Sequence, residues 1–318
     1  MSSQITIVRY DAAQKSTWDD FINKSRNGTF LFNRDYMDYH ADRFPDSSLM
    51  FYNADGELMA VLPATMTGNT LSSHAGLTYG GVIHGNSMRA SLMLELFAAM
   101  TGFLRTEGIG TLRYKTTPHI FHRIPSEEDL YALFRNNAVL VRRDLSSAIF
   151  LPDRLPFSKE LYALKQAQKL GLSVTRSHDF DSFMKLMTVT LEAKYGVRPV
   201  HTAAEIARLA QRFPDNIKLF TTTEADELIG GVLIYEHQTA VHAQYIAASD
   251  RGRKVGALAL IFNSLIDTYS GCKNYFDFGI STENDGQHLN EGLVQNKEWF
   301  GARAIVHDFY ELNSQTNV

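Results

Sequence analysis

The stretch from Val241 to Ile280 constrains this chain most. It joins an alternating run, Val241–Ala247, to a basic glycine-bearing turn, Arg251-Gly252-Arg253-Lys254-Val255-Gly256-Ala257, then to an amphipathic helix and a second strand, Asn274–Ile280. The helix is well specified, because Leu258, Ile261, Phe262, Leu265 and Ile266 recur at i, i+3, i+4, i+7 and i+8. In the first strand a period of two places Val241, Ala243, Tyr245 and Ala247 on one face. His242, Gln244 and Ile246 fall on the other.

The turn can hold an anion. A helix N-terminus offers free N–H groups and partial positive charge, so an oxyanion there meets several amides at once. Gly252 and Gly256 would let backbone approach it, and Arg251, Arg253 and Lys254 add charge. The motif is neither the G-x-x-x-x-G-K-[ST] loop of nucleotide hydrolases nor a G-x-G-x-x-G fingerprint.

Downstream, Tyr275–Ala302 begins as an apolar strand, breaks at Gly279, crosses a loop rich in carboxylates and amides, and resumes as a helix. If Leu289–Gly301 is one helix, Leu289, Leu293 and Phe300 share its core face, with Asn290 and Lys297 together on the flank. Asp277, inside an aromatic strand, reads as scaffold. Cys272 has no base arranged around it in sequence, and as the single cysteine it excludes an internal disulfide and argues against a thiolate zinc site, consistent with a reducing compartment.

The first half reads as a mixed domain. Ile5–Tyr10 is strand-like, Ser16–Lys24 helical, and a second helix is expected over Arg34–Arg43. Strands Leu49–Tyr52 and Leu58–Thr65 flank Asn53-Ala54-Asp55-Gly56, a strong hairpin signal. A strand is expected over Leu77–His84, a helix over Arg89–Glu107 capped by Ser87, and a strand over Thr111–Thr116. The connection Gly85–Met88 has no basic cluster, so no cofactor is assigned to this domain. Lys115 and His119, in a polar segment, are candidates for substrate contact.

Prolines 152 and 156 mark a boundary, giving domains 1–154 and 155–318. Helices are expected over 158–169 and 181–195. The loop after them carries Tyr195, Arg198 and His201, candidates for substrate or cofactor contact, and ends at Thr202, which with Glu205 forms a capping box. Strands Ile217–Thr222 and Leu228–Glu236 turn near Asp226-Glu227.

Arg253-Lys254-Val255-Gly256-Ala257-Leu258, placed between strand and helix, resembles the pyrophosphate turn of the GNAT acetyltransferases, matching its arginine and first glycine and departing from it at Leu258. Most of the chain resembles the two-domain GNAT-like proteins related to the FemABX peptidyltransferases. That likeness is carried by Pro199-Val200-His201-Thr202, Gln244-Tyr245-Ile246-Ala247, the basic turn, Asp277-Phe278-Gly279, Leu289-Asn290 and Lys297-Glu298-Trp299-Phe300-Gly301. The resemblance implies an α/β (α+β) fold of two tandem domains, each a twisted mixed sheet flanked by helices, with acyl-CoA held between splayed strands of the second. It implies transfer of an acyl group, such as acetyl, to an amine.

Such a transfer needs a neutral nucleophile, a proton acceptor and donors for the tetrahedral oxyanion. Glu283 is the candidate base, Tyr245 the candidate proton donor to the leaving thiolate, and Lys297 a further catalytic candidate. Arg251 to Ala257 would bind the cofactor, and Tyr195, Arg198, His201, His242, Gln244, Asn284, Asn290 and Lys115 the acceptor. The acceptor is a small-molecule, sugar or peptide-like amine, and no metal is called for. One rival is a Fem-like transferase using aminoacyl-tRNA and a cell-wall precursor. Another is a non-catalytic domain pair that binds a ligand or partner.

The chain has 318 residues, 44% of them hydrophobic, enough to fill two cores. A net charge of -4 and a pI near 6.3 argue against broad nucleic-acid binding, which excludes DNA and leaves tRNA only to the first rival. No window approaches the roughly 18 apolar residues of a spanning helix, no leader is visible, and a cytoplasmic location is expected.

Overall fold

The computed structural model describes residues 5–315, without the side chains of Glu160 and Tyr195. The chain divides into two compact units, one of residues 1–144, 284–287 and 306–318, the other of residues 145–283 and 288–305. The division falls between residues 144 and 145, where the sequence suggests 154 and 155.

Unit 1 begins with β1 (Thr6–Arg9), α1 (Lys15–Lys24), α2 (Arg34–Met37), β2 (Leu49–Tyr52), β3 (Leu58–Leu62), β4 (Thr65–Thr67), β5 (Thr70–Ser72) and β6 (Ile83–His84). It continues with α3 (Ala90–Thr106), β7 (Thr111–Lys115), α4 (Glu128–Arg135) and the first part of β8 (Val139–Phe150). Strands β1, β2, β3 and β6 form an antiparallel sheet, and β5 runs parallel to β7. The expected hairpin forms as the turn chemistry requires. Asn53 Oδ1 accepts from the amides of Asp55 and Glu57, and Gly56 takes φ +78°. Helix α3 buries Met93, Leu96, Phe97, Met100 and Leu104 against Leu49, Phe51, Leu62, Leu112 and Tyr114.

Three expectations for unit 1 are corrected. Helix α2 ends at Met37 and passes into a single 3-10 turn, Asp38–His40. Helix α3 starts at Ala90 with Arg89, not Ser87, at its cap. Of Leu77–His84 only Ile83–His84 is strand, because side chains take the backbone groups a ladder would have used: Lys115 Nζ binds Leu77 O, Thr117 Oγ1 binds Gly80 O, and Tyr114 Oη accepts from Val82 N.

Unit 2 holds the rest of β8, then α5 (Glu160–Lys169), β9 (Thr175–Ser177), α6 (Phe180–Tyr195), α7 (Ala203–Arg212), β10 (Ile217–Glu224), β11 (Glu227–Glu236) and β12 (Ala240–Ala248). There follow α8 (Asp250–Val255), α9 (Ala257–Tyr269), β13 (Tyr275–Ile280), β14 (Thr282–Glu283), β15 (His288–Leu289), α10 (Glu291–Trp299) and the start of β16 (Arg303–Asn313), whose end pairs with β7 in unit 1. The sheet order is β8-β13-β12-β11-β10-β9, and the pairing is antiparallel except between β12 and β13. Ala225 and Asp226, both at positive φ, turn β10 into β11. The α9 stripe packs Ile261, Phe262, Leu265 and Ile266 on Val232, Ile234, Val241, Ala243, Phe276 and Phe278. Unit 1 thus combines an antiparallel sheet with a second set of strands of mixed direction, and unit 2 is a mixed sheet covered by helices, an α/β (α+β) class as expected from sequence.

The helix expected over Leu289–Gly301 is shorter. Leu289 belongs to β15, and Asn290 caps α10 by accepting from Leu293 N.

Candidate active site

Strands β12 and β13 pair for only three residues, Ala240 with Tyr275, Val241 with Phe276 and His242 with Asp277. Beyond that point β12 runs on to Ala248, and among the described residues no strand pairs with it on its β13 side. On its other side β12 carries a bulge: Tyr245 lies opposite Leu233 and Ala243 opposite Ile234, which leaves Gln244 out of register.

The bulge overturns the face assignment read from alternation. His242 lies across from Tyr235 and Tyr245 across from Leu233; these are two apart on β11, so His242 and Tyr245 share one face. Ala243 and Ile246, across from Ile234 and Val232, share the α9 face.

On the His242 face, polar contacts are dense. His242 Nδ1 lies 2.7 Å from Asp277 Oδ2, and Asp277 is fully buried. Asp277 Oδ1 accepts from Ser146 Oγ at 2.7 Å and from Gly279 N at 3.2 Å. Tyr245 Oη meets His201 Nδ1 at 2.7 Å and accepts from His201 N at 3.3 Å, and burial pushes its phenol up to about 12. The two residues singled out separately in sequence are therefore in contact. Thr202, next to His201, makes the expected capping box with Glu205.

Lys297 is buried, its ammonium held by Gly279 O, Ile280 O and Ser281 Oγ at 2.7 to 2.8 Å. All three N–H groups are used, and burial brings the amine down to about 8. It fastens the chain just past the parting of the strands. Glu283 is exposed in the β14–β15 hairpin, where its Oε1 accepts from Asn290 Nδ2 at 2.9 Å. Asn284, at φ +51°, stands in the turn of that hairpin.

The basic segment is not the open turn expected. Ser249 caps it by accepting from Gly252 N, it runs as the helix α8, and Gly256 at φ +79° ends it. A Cβ on Gly252 would meet Ile229 O at 1.9 Å, and one on Gly256 would meet Ala163 O at 2.2 Å. The two glycines let α8 lie on β11 and α5 on the bend. Arg251 makes two hydrogen bonds to Glu224 at 2.6 and 2.7 Å, and Arg253 binds Ala248 O at 2.6 Å and the Asp250 carboxylate. Val255 and Ala257 are buried with Ile229, while Lys254 is exposed.

The remaining candidates lie elsewhere. Arg198 is exposed and paired with Glu192 at 2.7 Å. The Tyr195 side chain is outside the described residues. In unit 1, Lys115 Nζ donates to the carbonyls of His74, Ala75 and Leu77, and burial lowers it to about 8. Among the described residues no cluster of His, Cys, Asp and Glu is placed to hold a metal, and no helix is long and apolar enough to cross a membrane.

Residues 157–285, the stretch carrying the parted strands and α8, match the family model described as an acetyltransferase (GNAT) domain. This part of the chain is similar to a GNAT domain. Its class is that of the acyltransferases. Among solved structures the whole chain is similar to FemX, at 12% identity and a TM-score of 0.67, covering 95% of this chain and 96% of the other. It is also similar to the C-terminal domain of a putative lysylphosphatidylglycerol synthetase from Agrobacterium fabrum, at 10% identity and a TM-score of 0.60 over 95% and 92%. A third likeness is to L-PGS from Bacillus licheniformis, at 10% identity and a TM-score of 0.56 over 89% and 92%. These likenesses show a two-domain GNAT-like, FemABX-like fold for the chain. No curated protein matches the sequence.

Nothing local in the sequence singles out Ser146, and Asp277 reads there as scaffold alone. Ser146 lies 131 positions from Asp277, and no local pattern links them. For Asp277 there was a signal: a carboxylate flanked by buried aromatics must find donors, and a histidine on the neighbouring strand was an available one.

Proposed function

We propose that the chain is an acyl-CoA-dependent N-acyltransferase. It transfers an acyl group, acetyl in the simplest case, to the amine of a small-molecule, sugar or peptide-like acceptor by direct attack. The observation that carries this reading is the parting of β12 from β13 after three residue pairs beside the bulge at Gln244. A splayed pair leaves backbone groups unpaired by a ladder, and these can hydrogen-bond an extended donor and its carbonyl oxygen. Tyr245, a phenol that burial keeps protonated, is suited to return a proton to the departing thiolate. Lys254 is an exposed cation for the donor's phosphates, and Arg251 and Arg253 would join it by exchanging Glu224 and Asp250 for the ligand. An acyl-CoA donor places the reaction in the cytoplasm.

Calorimetry with acetyl-CoA and longer acyl-CoAs tests this. Binding that is lost in the double variant Arg253→Gln, Lys254→Gln supports the reading, and no binding at millimolar ligand overturns it.

A second reading rests on the same segment. With Gly252 and Gly256 closed off by backbone carbonyls and both arginines paired, α8 is a poor open cradle for pyrophosphate. That favours an ester donor of aminoacyl-tRNA type, as in a Fem-like transferase acting on a cell-wall precursor. Retention on charged tRNA with a steep loss on raising salt would distinguish it.

A further inference from the structure

We propose that His242 is the general base of the transfer and Asp277 the residue that positions it. This rests on the acyltransferase reading above and replaces Glu283 in the proton-accepting role.

Asp277 has no exposure, yet its two oxygens receive His242 Nδ1, Ser146 Oγ and the amide of Gly279. A buried carboxylate with that many donors is held ionised and fixed in orientation. An ionised carboxylate can only accept, so Nδ1 of His242 carries the proton in that contact. The neutral ring then has its lone pair on Nε2. Among the described residues Nε2 has no protein hydrogen-bond partner, and the side chain keeps 13% of its surface exposed. A ring fixed at one nitrogen and open at the other is the arrangement a proton acceptor requires.

Position supports the same conclusion. His242 and Asp277 are the last pair before β12 and β13 part, so the ring stands at the apex of the opening. Gly279, at φ +78°, passes beside it, and a Cβ there would lie 3.3 Å from His242 Cε1. Any side chain at 279 would crowd Cε1, the ring carbon bonded to both Nδ1 and Nε2. The bulge at Gln244 puts the proposed proton donor, Tyr245, on the same face. Among the described residues, buried His237 senses the charges of both His242 and Asp277, and Lys297 senses that of Asp277. By contrast Glu283 is exposed and already bonded to Asn290.

The acceptor amine nitrogen attacks the thioester carbonyl, forming a C–N bond and a tetrahedral oxyanion. His242 Nε2 takes a proton from that nitrogen, so the imidazole becomes imidazolium facing the Asp277 carboxylate. The oxyanion collapses, the C–S bond breaks with its electron pair going to sulfur, and the thiolate is protonated by Tyr245. The proton on His242 then returns to Tyr245 through solvent.

The test combines turnover with tautomer state. With acetyl-CoA as donor and glucosamine as probe acceptor, His242→Gln should lower kcat by about 100-fold or more, with KM for acetyl-CoA changed less than about threefold. Asp277→Asn presents an amide N–H to Nδ1, so the ring should switch to the Nε2–H tautomer with a comparable loss of kcat. Nitrogen-15 NMR of labelled histidine should show Nδ1–H in the parent and Nε2–H in Asp277→Asn, and this measures the dyad even in a variant that turns over nothing. Asp277→Glu should recover part of both the tautomer and the rate. Parent protein showing Nε2–H at His242, or His242→Gln keeping full turnover while Glu283→Gln loses it, overturns the proposal. Those results leave the donor reading standing, whereas absence of acetyl-CoA binding by the parent removes that reading and this one with it.

Discussion

Both units contain a parallel strand pair of three residue pairs, β5 with β7 in unit 1 and β12 with β13 in unit 2, and they treat it differently. In unit 1 the region beside β7 is filled by the chain itself. Gly81 lies against the Tyr114 ring, Tyr114 Oη joins Val82 N and Asp129, and Lys115 gathers three carbonyls of residues 74–77. In unit 2 the equivalent residues leave a partly exposed histidine at the apex, backed by a buried carboxylate. The difference teaches that a shared strand pattern is only a frame: a glycine beside a tyrosine fills it, and a glycine beside a histidine keeps it open.

Adding one methyl to each glycine should separate the two cases most. Gly81→Ala forces a φ of +89° and a Cβ within 2.8 Å of Tyr114 Oη, so urea unfolding should show a loss of about 3 kcal/mol. Gly279→Ala, whose Cβ among the described residues meets His242 Cε1 alone, should cost about 1–2 kcal/mol from backbone strain, with a larger effect on turnover than on stability. An equal stability cost in both would break the comparison.

Asp129 should come next. Burial raises its carboxyl to about 6 from the ordinary 3.8, with the Tyr114 hydroxyl bonded to it. Between those values the folded chain holds a proton the unfolded chain has released, so stability falls as pH rises through the window and stays lower above it. Asp129→Asn, which keeps an acceptor for Tyr114, should remove that fall and gain about 2 kcal/mol at neutral pH, read from melts between pH 4 and 7.

Lys115 and Lys297 sharpen the comparison by being alike. Each amine is lowered to about 8 by burial, so above that pH the folded chain sheds a proton the unfolded chain keeps up to about 10.5. Stability should therefore rise with pH across that window. Lys115→Met and Lys297→Met should each reduce the rise by up to about 1 kcal/mol per pH unit, measured as the difference from the parent. The smallest effect belongs to the Arg251–Glu224 pair on the surface: Glu224→Gln should leave the unfolding midpoint unchanged and, by freeing Arg251, tighten acetyl-CoA binding modestly.

The elements governed by local rules were readable from the chain. The stripe of α9, the hairpin at Asn53–Gly56, the capping box at Thr202 and Glu205, and the strand–helix–strand order of residues 241–280 all follow from side-chain period and turn chemistry over a few residues. Tertiary structure decided the site. Alternation along β12 is unbroken in the sequence, and only its mismatch with β11 creates the bulge that moves Tyr245 to the face of His242. The basic turn looks open in isolation, and it folds as α8 because Ser249 caps it and Ile229 and Ala163 lie against its glycines. Ser146, Asp277 and His242 meet only when β8, β13 and β12 align. Periodicity is a property of neighbours in sequence, whereas register and close approach belong to partners brought together by the fold.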